Sequence, residues 1–418
     1  MQTSSAFFSA LAVTAIAASA GPALTLEQAM DKARGHHPGF RILDAEIEAL
    51  EGIRASASAA PNPSLTVGPG IKRASGEGAS KAAFHGELGL EQVIEFPGKR
   101  SLRALLAEGD VRLRKIALEG FALEMRVQVR RVFFRALAAG QIAALRTEQV
   151  RSAETFLQAA RKRVAGGYAS DFETVKAQAD WIAARKALGE ALAERRQSRL
   201  ELSALMGTFP DTAFALEGTL VPEMFPSPRG DLTAMALAGN PAVRARALQA
   251  ELADGNIRAA GLAARPDVSV SPSLEYTREE QVFGVDLSLP LPLWDRGKGG
   301  IRKASAERRA AQAEWENAKR EVALAVEAAL DKVRLAEEQL ALYTPEFLAS
   351  LGDILQRAEK VYGQSSTTML IYLEARRSYF ESLAEYHRTL AGWAESHVDL
   401  EAAMGIPMRA GTERKEAE

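Results

Sequence analysis

The chain reads as an α+β protein that is mostly α. It is built as two copies of one unit, each with two short strands and a very long helical hairpin. Three observations predict this. Landmarks recur in the same order roughly 200 residues apart. Two stretches of roughly sixty residues repeat apolar side chains at three- and four-residue spacing. The short runs before those stretches alternate apolar and polar residues, the period of a strand with one apolar face. Four landmarks carry the repeat. His37-Pro38 is echoed by Asn240-Pro241, and Pro97-Gly98-Lys99 by Arg296-Gly297-Lys298. Val164-Ala165-Gly166-Gly167 is echoed by Val361-Tyr362-Gly363, and Leu202-x-x-Leu205-Met206-Gly207 by Leu400-x-x-Ala403-Met404-Gly405.

Composition narrows the class. The 418 residues are 47% hydrophobic and 25% charged but only 6% aromatic, with a net charge of −2 and no cysteine. That charge balance argues against a nucleic-acid partner. Without cysteine there is no disulfide framework, thiolate metal site or cysteine nucleophile. A mean hydropathy of −0.12 excludes a polytopic helical membrane protein. Alanine fills the place of aromatics, which suits helices in close lateral contact.

Taken in order, residues 1–20 read as a signal peptide. Ala6–Ala20 is uncharged and apolar, too short to span a bilayer, and ends in Ala18-Ser19-Ala20. The usual positive n-region is missing, since no Lys or Arg precedes Lys32. The first repeat covers 21–208. It opens with a helix over Leu26–Ala60, ended by Pro61. Strands follow at 64–72 and 84–96, joined by a solvated Gly/Ser-rich loop over 73–82. A long helix runs over 101–164, and a return helix over Asp171–Met206. Residues 209–229, with Pro210, Pro222, Pro226 and Pro228, form a linker. The second repeat covers 230–406. Its opening helix is Leu232–Ala264, its strands are 267–276 and 281–291, and its long helix is 298–361, kinked at Pro345. The return helix is Met369–Met404, and a disordered polar tail takes 407–418.

Four strands cannot close a sheet, and their exposed edges invite pairing. Three copies would supply twelve strands, enough for a barrel. An exported chain with such strands and helical rods of roughly 90–100 Å fits an oligomeric tube. An exported periplasmic coiled-coil scaffold without transport activity fits the pattern equally well.

Three stretches carry a resemblance that separates the two. They are His37-Pro38 with the helix to Pro61-Asn62-Pro63, Glu95-Phe96-Pro97-Gly98-Lys99-Arg100, and Leu287-Ser288-Leu289-Pro290-Leu291-Pro292-Leu293-Trp294-Asp295-Arg296-Gly297-Lys298. With the duplication, they resemble the outer-membrane efflux protein (TolC) family, nearest its heavy-metal CzcC/CusC-like branch. The resemblance implies a homotrimer with a twelve-stranded outer-membrane β-barrel, in contact with outer-membrane lipid, above a periplasmic α-barrel. It also implies docking onto a periplasmic adaptor (membrane fusion) protein and an inner-membrane RND pump. Lipidated members carry a cysteine at the mature N-terminus, so no lipid anchor is expected here. The expected role is a passive conduit of a tripartite efflux system, with heavy-metal cations among the cargo. No nucleotide loop or HExxH motif is present, and neither an enzyme activity nor a cofactor is expected.

The resemblance makes the hairpin tips candidates for adaptor contact: Gly166, Gly167 and Ser170 at the first, Gly363, Ser365 and Thr367 at the second. Tight reversal of the chain is the plainer role for such residues. Asp171 and Glu173 are candidates for an acidic ring at the periplasmic gate, against simple helix-dipole capping. Pro97, Gly98, Lys99, Pro292, Trp294 and Lys298 mark the barrel-to-helix junctions. Trp294 is expected to pack there rather than to anchor at the membrane interface. No metal-ligand cluster is evident. His36 and His37 diverge on a helix and serve better as a helix break. His85 shares a polar strand face with Glu87 and Glu91.

Overall fold

A computed structural model describes residues 23–74, 81–208, 214–218, 220, 231–277, 280–364 and 369–406. The expected signal peptide, the tail and much of 209–229 lie outside them. In chain order the elements are β1 (Ala23–Leu24), α1 (Leu26–His36), α2 (Pro38–Ser58), β2 (Ser64–Ala74), β3 (Lys81–Ile94), α3 (Lys99–Ala165), α4 (Asp171–Leu205) and β4 (Ala215–Leu216). They continue with α5 (Leu232–Gly239), α6 (Pro241–Ala263), β5 (Val268–Thr277), β6 (Gln281–Ser288), α7 (Lys298–Ala341), α8 (Pro345–Gln364) and α9 (Met369–Met404). The second half repeats the first element by element, with α7 and α8 together in the place of α3.

The opening helices are each two helices, not one. The break falls at His37-Pro38 and Asn240-Pro241. Proline at the first helical position loses nothing by lacking an N–H, and its fixed φ favours a helix start. The residue before it caps the new helix. The ring Nδ1 of His37 accepts from Gly39 N–H at 3.2 Å, and Asn240 Oδ1 accepts from Ala242 N–H at 2.9 Å. The helix-break reading of His37 therefore stands, while the single helices over Leu26–Ala60 and Leu232–Ala264 do not.

The second rod is broken outright rather than kinked. Helix α7 stops at Ala341, and α8 starts at Pro345. Thr344 stabilises the restart, its hydroxyl accepting from Phe347 N–H at 3.2 Å. By contrast, α3 runs unbroken for 67 residues, roughly 100 Å.

The strands form one four-stranded antiparallel sheet in the order β2-β3-β5-β6, so the two hairpins join along β3 and β5. The first hairpin reaches further into the expected loop, to Ala74 and from Lys81. Strand β6 ends at Ser288, short of the expected 291, where Pro290 and Pro292 withhold ladder donors. The expected linker also contributes structure. Its residues Ala215 and Leu216 pair in parallel with Ala23 and Leu24, and Leu220 is buried.

Helix α3 is the spine. It packs against α4 and α9 over one part of its length and against α2 and α6 over another, while α7 lies against α6 and α9. Its middle supplies Val127, Val129, Phe133, Phe134 and Leu137 to the main core, met by Leu202, Met206, Trp393, Ala394 and Val398. Elsewhere small residues permit close approach. A Cβ on Gly109 would meet the Leu252 side chain at 2.2 Å, and one on Gly255 would meet Leu106 at 2.8 Å. Each of α3 and α6 thus seats a leucine over the other's glycine. Among the described residues no helix is long and apolar enough to cross a membrane.

Candidate functional site

The sheet has two unlike faces. Residues directly opposite in an antiparallel pair share a face, so the register assigns each side. One side carries Leu65, Val67 and Ile71 of β2, then Phe84, Leu88 and Leu90 of β3. Leu274 and Tyr276 of β5 and Phe283, Val285 and Leu287 of β6 complete it. All of these are exposed. The other side carries Ser64, Thr66, His85, Glu87, Glu91, Ser269, Ser271, Ser273, Glu275, Asp286 and Ser288. His85 approaches Glu275 at 3.3 Å on that polar side. Among the described residues, the outer edges of β2 and β6 are unpaired. An apolar face backed by a polar one, with two open edges, is the pattern of a barrel segment with lipid outside and water inside.

At one end the sheet passes into the helices through the predicted junction residues. Gly98 precedes α3 at φ 92°, and Gly297 precedes α7 at φ 71°. Both values lie in the left-handed region where side chains other than glycine's are strained. Pro97 and Gly98 turn the chain, and Lys99 then pairs with Asp267 at 2.9 Å. Asp267 also accepts from Phe96 N–H at 2.7 Å. Burial pushes this carboxyl up, but the Lys99 ammonium and the Phe96 N–H outweigh it, and the acid is held below its ordinary range. Arg103 adds a second tie, to Glu95 and to the carbonyls of Ala57 and Ala59. The sequence pattern did not point to Asp267, because its partners lie about 170 residues away along the chain.

The second junction is arranged differently. Lys298 begins α7, Pro292 lies six residues before it, and Trp294 between them is 94% exposed in the single chain. Within the single chain the indole expected to pack at this junction is left uncovered. Asp295 forms the turn into α7 by accepting from Gly297 N–H at 2.9 Å, and Pro290, Leu291 and Pro292 line a cavity with Ala260, Ala263 and Ala264 at the end of α6.

The far end of α3 turns at Gly166-Gly167. Gly167 has φ 77°, and Tyr168 N–H reaches Arg163 O at 2.9 Å, closing the helix end. Gly166, Gly167 and Ser170 lie exposed at this tip. Gly363 lies in the last turn of α8, while Ser365 and Thr367 fall outside the described residues.

The two acids of the expected gate part ways. Asp171 is exposed at the start of α4, but Glu173 is buried. Its Oε2 accepts from the Tyr362 hydroxyl at 3.2 Å and lies 3.7 Å from Arg163 Nε. Arg163 also donates to Tyr362 O at 3.0 Å and stacks over the Tyr362 ring. Glu173 is thus no ring acid facing open water. It ties α4 to α3 and α8, because a buried carboxylate needs charged and hydrogen-bonding partners. Burial, then the Glu173 carboxylate, pushes the Tyr362 hydroxyl up to about 12. Two turns further along α4, Asp180 pairs with Arg376 of α9, whose guanidinium lies over Phe156 and Tyr372. Burial lowers that guanidinium to about 10. An acid two residues inside a helix reads as a cap, so only the fold reveals these partners.

Among the described residues no group of three His, Asp or Glu side chains is placed to hold a metal ion. The buried His397 instead contacts Trp393 O at 3.1 Å and lies 3.9 Å from Glu337.

Comparison with known proteins agrees with this geometry. The chain is 27% identical over 399 residues to the cobalt-zinc-cadmium resistance protein CzcC of Cupriavidus metallidurans, covering 92% of this chain and 91% of that one. Its fold is similar to that of CusC, solved in a study of folding and transmembrane channel formation, with TM-score 0.77 at 16% identity over 91% of this chain and 92% of that one. It is similar too to the outer-membrane channel OprN, with TM-score 0.77 at 16% identity over 91% of this chain and 90% of that one. The sequence profile of the outer membrane efflux protein family matches residues 29–208 and 232–406, one match to each half, and the chain belongs to that family.

Proposed function

We propose that three copies of this chain assemble into a passive conduit that completes a tripartite efflux system. The observation that carries this reading is the one-sided sheet with two unpaired edges. Pairing β6 of one copy with β2 of the next repeats the antiparallel rule three times and leaves no edge exposed. The apolar row then faces lipid, and the serines and acids face a water-filled lumen. Helices α4 and α7–α8, at the two sides of the helical layer, carry exposed apolar residues such as Val175, Ile182, Leu324 and Leu335, which supports burial against neighbouring copies. The scaffold alternative gives the apolar sheet face nothing to cover it.

At the far end, the tips around Gly166, Gly167 and Ser170, with Gly363, Ser365 and Thr367, are the proposed contacts for a periplasmic adaptor protein. The adaptor would link the conduit to an inner-membrane RND pump, which supplies the energy. Asp171 stays a candidate for the periplasmic opening. Glu173 contributes there by holding hairpin to hairpin through Arg163 and Tyr362. Heavy-metal cations are the proposed cargo, supported by similarity to CzcC. Residues 1–20 are the proposed export signal.

Reconstitution into planar lipid bilayers tests the reading. Stepwise ion conductance is expected, larger in a Tyr362→Phe, Glu173→Gln variant in which the hairpins are untied. A membrane-inserted trimer of that variant with no conductance would refute a conduit. Deleting the gene should lower tolerance to cobalt, zinc or cadmium salts, and unchanged tolerance to all three would remove the cargo assignment.

A further inference from the structure

The two junctions between sheet and helices differ in a way the conduit alone does not use. In the first half the chain passes from Ile94, the end of β3, to Gly98 in a few residues, and its polar groups are tied inward to Asp267 and Arg103. In the second half the path from Ser288 to Gly297 is more than twice as long. The added stretch is Leu289-Pro290-Leu291-Pro292-Leu293-Trp294. Leu289, Leu291 and Leu293 are each at least half exposed, and Trp294 almost wholly so.

Prolines at 290 and 292 cannot donate to a ladder, so the stretch does not lengthen the sheet. Leu289 and Leu291 keep the odd-numbered spacing of the lipid row Phe283, Val285 and Leu287. Leu293 N–H then closes a tight turn onto Leu291 O at 2.8 Å, and the indole follows. Beyond it stand Arg296 and Lys298, both exposed. Among the described residues neither has an acidic partner, and Asp295 is engaged with Gly297 N–H. The order along the chain is therefore apolar row, indole, cations. That is also the order met on leaving a bilayer: hydrocarbon, headgroup boundary, phosphate.

We propose that Leu289–Trp294 with Arg296 is an interfacial anchor that seats the barrel in the inner leaflet of the outer membrane. The indole lies at headgroup level and the guanidinium at the phospholipid phosphates. This rests on the barrel reading above, because the occupant is argued from continuity with the lipid-facing row. A second copy covering the indole would also have to cover the adjacent cations, for which the described residues offer no matching acid on β2, the strand that faces it across the closure.

The test uses the full-length protein in phospholipid vesicles whose chains carry bromine either near the headgroup or near the bilayer centre. Subtracting the emission of Trp294→Phe from that of the native protein isolates Trp294 from Trp181, Trp315 and Trp393. Phe283→Trp on β6 reports separately whether the sheet meets lipid. Shallow bromines should quench the Trp294 component by roughly half, and deep ones by less than about a tenth, as for an indole at the interface. Quenching of the Phe283→Trp probe with none at Trp294 would overturn the anchor and leave the barrel standing. Equal quenching of Trp294 by deep bromines would overturn its interfacial position. No quenching of either probe would refute the barrel itself.

Discussion

The two long rods of this duplicated chain have taken different forms. The first, α3, is one helix of 67 residues, and the second is divided into α7 of 44 and α8 of 20. Their surroundings account for the difference. Helix α3 lies between neighbours on both sides and buries Phe133, Phe134, Val129 and Leu137. Helices α7 and α8 lie at a side of the layer and leave Leu324, Leu335 and Ile354 exposed, as is Leu342 between them. A central helix is held straight by contacts along its length, whereas a flanking one can tolerate Pro345 and a three-residue gap. Duplication thus preserved the order of elements, while the continuity of the rods differs with their position in the layer.

The sharpest way to break this comparison is to unpair the buried acid that holds α9 to the spine. Glu401, 1% exposed, meets both Arg126 and Arg130 of α3. Burial pushes the Arg130 guanidinium down despite the Glu401 charge beside it, so removing the acid leaves a costly buried cation. Glu401→Ala should destabilise the fold by about 3–5 kcal/mol, measured by chemical unfolding in detergent. A loss below about 1 kcal/mol would mean that α3 is not the organising helix.

A smaller effect is expected where the hairpins meet at the far end. The Tyr362 hydroxyl has its pKa raised to about 12 from an ordinary 10, so the folded form holds this proton more tightly than the unfolded one. Its contribution is fully present below about pH 10 and is lost as pH rises toward 12. Amide exchange near Arg163 and Glu173 should therefore accelerate across that window in the native protein. Tyr362→Phe should remove that step while costing about 1 kcal/mol at neutral pH. The same step in both proteins would exclude Tyr362 as its source.

Smaller still is the cap that restarts the flanking rod. Thr344→Ala should cost about 1 kcal/mol and increase exchange at Phe347 N–H, with α3 unaffected. Substituting Leu335→Ser should leave protomer folding within about 0.5 kcal/mol yet weaken assembly, seen as dissociation at lower detergent or protein concentration.

Much of this architecture was legible in the sequence because it is periodic. Phe283, Val285 and Leu287 announce a one-faced strand, and the heptads around Leu106, Leu113 and Gly120 announce a rod. Glycine and proline mark the turns at Gly166-Gly167 and the junctions at Pro97-Gly98. What escaped depends on distant partners. Glu173 reads as a helix-start acid until Arg163 and Tyr362 close over it. Ala215 and Leu216 are two residues in a proline-rich stretch, too short for a period, and form a strand only because Ala23 and Leu24 lie beside them. The breaks before Pro38 and Pro241 were visible as X-Pro pairs, but the apolar pattern continues across them.

The conduit rests on three chains closing one barrel, and native mass spectrometry of the protein extracted from outer membranes tests this most directly. Particles of three copies, recovered only with detergent, are the result predicted by pairing β6 with β2 of the next chain. A detergent-independent single copy in the soluble periplasmic fraction would contradict it.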